Sequence, residues 1–155
     1  MLIPRYKTWT LFPLLLCLSL AFSVQAQQRN SEQVGDYTIY YDVLPTRFLD
    51  PQIAQAYGVV RSQGQGLIRI TVLKTLASGE QEPVVARVSG QVGNLAGQTR
   101  GLSFREVQVG QQAGYSSLAT FRFAHDDPMR FNLRVSYERG APAHELHFIR
   151  RLYMD

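Results

Sequence analysis

The stretch RFNLRVSYE, residues 130–138, alternates without a fault. Phe131, Leu133, Val135 and Tyr137 share one face, while Asn132, Arg134, Ser136 and Glu138 share the other. Successive side chains of a strand point to opposite faces of its sheet, so this pattern describes a strand with one face in a core and one in water. The same period recurs in both directions along the chain. Residues 36–43 place Tyr37, Ile39, Tyr41 and Val43 together, and 66–76 place Ile68, Ile70 and Val72 opposite Arg69 and Thr71. Residues 83–95 put Val84, Ala86, Val88 and Val92 opposite Arg87, Ser89 and Gln91. In 115–124, Ala119, Phe121 and Phe123 face away from Thr120 and Arg122; the stretch 144–153 opens with Leu146 and Phe148 inward. Only 102–109 changes phase, from Leu102 and Phe104 to Val107 and Val109, which predicts a bulge near Arg105–Glu106.

Turn chemistry fills the gaps: Ser78-Gly79, Gly97 to Gly101, Gly110 to Gly114, Asp126-Asp127-Pro128 and Gly140 to Pro142. Half-polar strands at this spacing predict an all-β, immunoglobulin-like antiparallel sandwich of about seven strands. One connection breaks the rhythm. Residues 44–65 are too many for an ordinary turn, and they hold DPQIAQAYG, residues 50–58. Asp50 suits an N-cap, Pro51 the first helical position and Gly58 a left-handed stop. Leu49 and Ala54 can staple the entry. Ile53, Ala56 and Tyr57 share a face, and two turns alone are unstable in water, so that face is expected to dock. The expected resting place is the open end of the sandwich, with Tyr57 as the lock.

The N-terminus reads as an export signal. Arg5 and Lys7 precede the apolar run LFPLLLCLSLAF at 11–22, and Ser-Val-Gln-Ala leads to a cleavage site between Ala26 and Gln27. The run is shorter than the roughly 20 residues that span a bilayer. An uncleaved signal-anchor is the competing reading. Leu16 stands before Cys17 where a lipoprotein needs a small residue, and cleavage removes this single cysteine, so the mature chain has no disulfide or thiol chemistry. The expected organisation is a cleaved signal peptide at 1–26, a loose leader at 27–34 and one sandwich domain at 35–155. The expected location is the periplasm, with no stable membrane anchor after cleavage.

Of 16 basic residues the signal holds two, leaving 14 against 12 acids. A balance so near neutral argues against nucleic acid as a partner. The strand-borne Arg69, Arg87, Arg122 and Arg134 all alternate outward and would form a basic stripe if the sheets placed them side by side.

Asp36-Tyr37 with Tyr41, then Phe48-Leu49, Ala56-Tyr57-Gly58 and Arg61-Ser62, form an ordered set. Val88-Ser89-Gly90, Asn94-Leu95 and Ala119-Thr120-Phe121 continue it. This series resembles a "domain of unknown function" family of small exported proteins of Gram-negative bacteria. The resemblance implies a periplasmic domain and brings no catalytic residues.

The histidines invite a chemical reading. HELH at 144–147 spaces its histidines by three, not the four of H-E-x-x-H, and on a strand His144 and His147 face opposite ways. Glu145 and His147 share a face that a distant His125 could join as a third ligand. His125 also stands beside Asp126 and Asp127, with Ser89, Ser116 and Ser117 elsewhere, but no nucleophile elbow is present and Asp-Pro starts turns. The glycine-rich 93–97 lacks a lysine and a following helix, so it is no phosphate loop. No catalytic residue, metal or cofactor is assigned on these grounds. The leading expectation is a non-enzymatic binding or accessory domain for an unidentified protein or envelope component, contacting it through Arg47, Tyr57 and Arg61. The alternatives are a metal-binding or hydrolytic enzyme using His125, His144, Glu145 and His147, and an assembly factor that pairs through a sheet edge.

Overall fold

The computed structural model describes residues 30–110 and 114–154. The expected signal at 1–26, with its cleavage site at Ala26–Gln27, lies outside them. Among the described residues no helix is long and apolar enough to cross a membrane.

Two antiparallel sheets pack face to face. The first runs β1 (Ser31–Val34), β2 (Tyr37–Pro45), β3 (Gln65–Thr75), β8 (Gly114–Arg122) and β7 (Arg105–Val109), and β4 (Gln81–Val84) pairs with the far end of β3. The second runs β10 (His144–Leu152), β9 (Asp127–Ser136), β5 (Arg87–Gly93) and β6 (Thr99–Gly101). The sandwich predicted from alternation is therefore present, with ten strands among the described residues rather than about seven.

The additional strands are short, and each has a physical origin. Ser31–Val34, expected as loose leader, pairs with Val34↔Tyr37 to Ser31↔Tyr40 and makes β1. Residues 83–95, read as one strand, serve two sheets: β4 pairs β3, the chain crosses at Val85-Ala86, and β5 pairs β9. Alternation survives the crossing because Val84, Ala86, Val88 and Val92 all face the same core.

Between the sheets lie Ile39, Ile68, Ile70, Val72, Phe121, Phe131, Leu133, Val135 and Leu146. Phe131 is the hub. Its ring stacks on Phe148 at 4.9 Å and meets Phe121 edge-on at 5.2 Å, while Tyr41 stacks on Phe148 at 4.5 Å. Offset and edge-on pairs of this kind add about 0.5–1.5 kcal/mol beyond the area they bury. One side of the sandwich is clasped by polar bonds between the edge strand β10 and the start of the first sheet. His144 Nε2 lies 3.0 Å from Glu32 Oε1, and Arg150 donates to Asn30 Oδ1 at 2.7 Å.

A second, smaller core sits on the other side of the first sheet. Leu67, Leu118 and Leu44 point away from the main core and are covered by Leu49, Ala54, Tyr57 and Val59. Val107 and Val109 join them. The phase change at 102–109 is thus not a bulge within a strand. Leu102 and Phe104 serve the main core before β7 begins, and β7 then pairs regularly with β8 while its valines serve the second core.

Candidate functional site

The arm, residues 46–64, leaves β2 and returns to β3 across the outer face of the first sheet. Thr46 opens it and is fully buried. Its hydroxyl donates to the Ser62 carbonyl at 3.2 Å and accepts the Ser62 N–H at 3.0 Å, so one side chain ties the start of the arm to its end. A 3-10 turn, Thr46–Phe48, then leads to α1, Pro51–Ala56. Asp50 Oδ1 accepts from Gln52 N at 2.8 Å and Ile53 N at 3.4 Å, Pro51 occupies the first turn, and Gly58 has a φ of 58°. The helix and both of its signals are as the sequence predicts.

Its placement differs from expectation in two respects. The arm lies on the face of a sheet, not over the open end of the sandwich, because Leu67 and Leu118 leave an apolar area there. The docked face is Ala54 and Tyr57 with Leu49 and Val59. Ile53 is 44% exposed and Ala56 is exposed too, so neither packs where the helical spacing put it.

Of the three residues singled out as a contact set, Tyr57 is 7% exposed and belongs to the second core. Its backbone carbonyl accepts from Arg105 Nη2, which places a cation at the helix C-terminus where the unpaired carbonyls favour one. Its side chain reaches Arg69, which donates through Nε and Nη2 to Asp42 Oδ2 at 3.2 and 2.5 Å. Burial pulls the Arg69 guanidinium down, but the bond and charge of Asp42 outweigh it with a smaller contribution from Tyr57, and the net direction is up.

Arg47 and Arg61 meet at one knot. Arg61 donates to the Arg47 carbonyl at 2.8 Å through Nη2 and 3.3 Å through Nε. Arg47 donates to the Met154 carbonyl at 2.9 Å, and its guanidinium lies 5.0 Å from the Phe48 ring centre. His125 Nδ1, between β8 and β9, accepts from Met154 N at 3.1 Å, so Met154 is held by the arm on one side and by the β8–β9 turn on the other. No sequence signal links Arg47 to Met154, since the contact spans 107 positions.

The other candidates are dispersed. His144 bonds Glu32, whereas His147 Nδ1 lies 2.9 Å from Asn132 Oδ1 and its Nε2 3.5 Å from Glu145. His144 and His147 occupy opposite faces of β10, and His125 lies between β8 and β9, bonded to Met154. Among the described residues no three metal-binding side chains gather. Ser117 donates to the Ala86 carbonyl at 3.1 Å and Ser116 shares a 2.6 Å bond with Thr71, so neither serine pairs with a histidine. The four outward arginines are divided: Arg69 and Arg122 lie on the first sheet, Arg87 and Arg134 on the second, and no single stripe forms.

These features define a class: a two-sheet antiparallel sandwich that carries a capped, two-turn arm on the outer face of one sheet. The chain belongs to the DUF4426 family, a domain of unknown function, whose model matches residues 31–155. A crystal structure of a DUF4426 family protein from Pseudomonas aeruginosa PAO1 is similar to it, with a TM-score of 0.67 at 30% identity. That likeness covers 81% of this chain and 94% of that one. No curated protein matches.

Proposed function

We propose that the chain is exported to the periplasm, where it acts as a non-enzymatic binding domain that holds a protein partner on the outward side of the arm. One observation carries this reading. Phe48, Ile53 and Val60 are 61, 44 and 74% exposed on a single short segment whose other side is fixed by Thr46, Leu49, Ala54, Tyr57 and Val59. Large apolar side chains on a pre-ordered backbone lose little freedom on association. Arg47 and Arg61 flank them, and apolar groups with arginine are the composition enriched in protein interfaces. In this reading Tyr57 presents the surface without touching the partner. The export signal at 1–26 supports the location.

In-cell photocrosslinking tests the contact. Probes at Ile53 and Val60 should give one discrete product that a probe at Leu95, exposed on the β5–β6 turn, does not give. Phe48→Ser should abolish the product without changing the thermal transition. Identical products from all three positions, or none from the arm, would sink the reading. N-terminal sequencing of periplasmic material should begin at Gln27; an uncleaved chain retained in the cytoplasm contradicts the location.

A further inference from the structure

The arm covers only part of the outer face of the first sheet. Beyond it, among the described residues, the face stays open over β1, β2, β3 and β8. Two depressions of about 370 and 540 Å³ lie there side by side and share Tyr40 and Asp42. Each falls in the ~300–1,000 Å³ range of small-ligand sites, but both are open troughs rather than enclosed cavities.

Leu73, Pro83 and Val109 form an apolar side of the smaller depression, and the polar part of the floor has a specific chemistry. Asp42 and Arg69 pair with each other, so their charges cancel. Thr71 and Ser116 share a hydrogen bond across β3 and β8 in the row that holds Tyr40, and Thr38 lies two residues along β2 from Tyr40, opposite Leu73. Tyr40 is the exposed aromatic between the two depressions. We propose that this trough binds a neutral oligosaccharide, with the Tyr40 ring against the C–H face of one sugar and Asp42, Arg69, Thr71 and Thr38 bonding hydroxyls on either side.

The complementarity is chemical. Sugar hydroxyls donate and accept at once, and the floor presents acceptors at Asp42, donors at Arg69 and groups that do both at Thr71 and Thr38. Tyrosine offers an apolar ring and a polar tip, which suits a ligand with apolar and polar faces. A charged polymer would meet a floor with no net charge to attract it. An extended peptide is disfavoured for a different reason. Strand addition needs a free sheet edge; β1 at the rim is one, but the floor that carries Tyr40, Asp42, Arg69 and Thr71 is built on β2 and β3, each paired on both sides, so its backbone groups are occupied. The Asp42–Arg69 pair is hydrogen-bonded through both Nε and Nη2, which orients its groups before any ligand arrives. The site stands on its own residues and does not rest on the arm's protein contact.

The test is amide chemical-shift titration of the mature protein with cellotetraose, maltotetraose and chitotetraose. At least one should give saturable shifts centred on Tyr40 and Thr71. Tyr40→Ala should weaken that binding by about tenfold or more, while Tyr40→Phe retains it. Phe48→Ser should leave it intact, which separates this site from the arm. Several results would overturn the proposal: no saturable shift with any of the three by about 10 mM, shifts on the arm alone, or binding that survives Tyr40→Ala. Preferential binding of an oligogalacturonate or of an extended peptide in the trough would do the same.

Discussion

The two outer faces of this sandwich are built on the same strand pattern and end in different states. On the second sheet, alternation holds but for Ile149, an apolar side chain 53% exposed on the outer face of β10. Arg134 lies opposite Ser89 and Glu145, and Asn132 opposite Gln91 and His147, so the face is largely polar and, among the described residues, uncovered. On the first sheet the rule fails at Leu67, Leu118, Leu44 and Val107, which are apolar on the side that should be wet. There the chain departs for 46–64 and lays an arm over the fault. The lesson is causal. A β protein carries one helix here because one face has an apolar area that no strand can cover.

The sharpest way to break that comparison is to hollow each core in turn. Phe131→Ala empties the hub between the sheets and should cost about 3–5 kcal/mol, and Leu118→Ala under the arm about 2–5 kcal/mol. The two losses should differ in kind. Loss of Phe131 should lower protection of the whole sandwich in native-state hydrogen exchange. Loss of Leu118 should release the amides of Ala54, Tyr57 and Val59 before those of β8. Equal release of arm and sheet would mean that the second core is no separate unit.

A narrower cut is Thr46→Val. It keeps the shape but leaves the Ser62 N–H and carbonyl without the partner that joins the two ends of the arm. The two bonds are part-buried and Ser62 is exposed, so water replaces some of what is lost and the cost should be about 1–2 kcal/mol, read from the denaturant midpoint. Thr46→Ser keeps the hydroxyl and should recover most of the loss. If valine is tolerated as well as serine, the ends of the arm are held by packing alone.

Asp50→Ala tests the helix start that the sequence announces. It removes the acceptor for two N–H groups and should cost about 1 kcal/mol, with faster exchange confined to α1. A loss spread over the sandwich would show that the cap supports more than its own turn.

How much of this was legible follows from the range of each interaction. Residues 130–138 announce their strand because alternation is local. The cap, Pro51 and Gly58 announce the helix for the same reason. Leu67 and Leu118 were visible as letters, in GLIRI and SSLATF, yet their side of the sheet depends on register with distant strands. The continuous apolar run Leu67-Ile68 beside strict alternation was the available signal, since it marks a strand wet on neither face. Helical spacing puts Ile53 beside Tyr57 but leaves it exposed, because periodicity sets which residues share a side, not which side meets the sheet. The trough has no local signal at all. Asp42 and Arg69 meet through the pairing of β2 with β3, and Thr71 meets Ser116 only through β3 with β8.

The smallest expected effect belongs to the bare face. Arg134 stands directly opposite Glu145 in register, a placement that favours an ion pair, yet no bond forms between them within salt-bridge range among the described residues. Both side chains are exposed, and an ordered pair would have to recover the freedom of two long side chains from a weak attraction in water. Arg134→Ala and Glu145→Ala should each shift stability by no more than about 0.5 kcal/mol. Their coupling in a double-mutant cycle should be of similar size or smaller, and insensitive to salt. A coupling well above about 1 kcal/mol would show that this face is held by charge where the opposite one is held by burial, and the contrast between them would have to be redrawn on that basis.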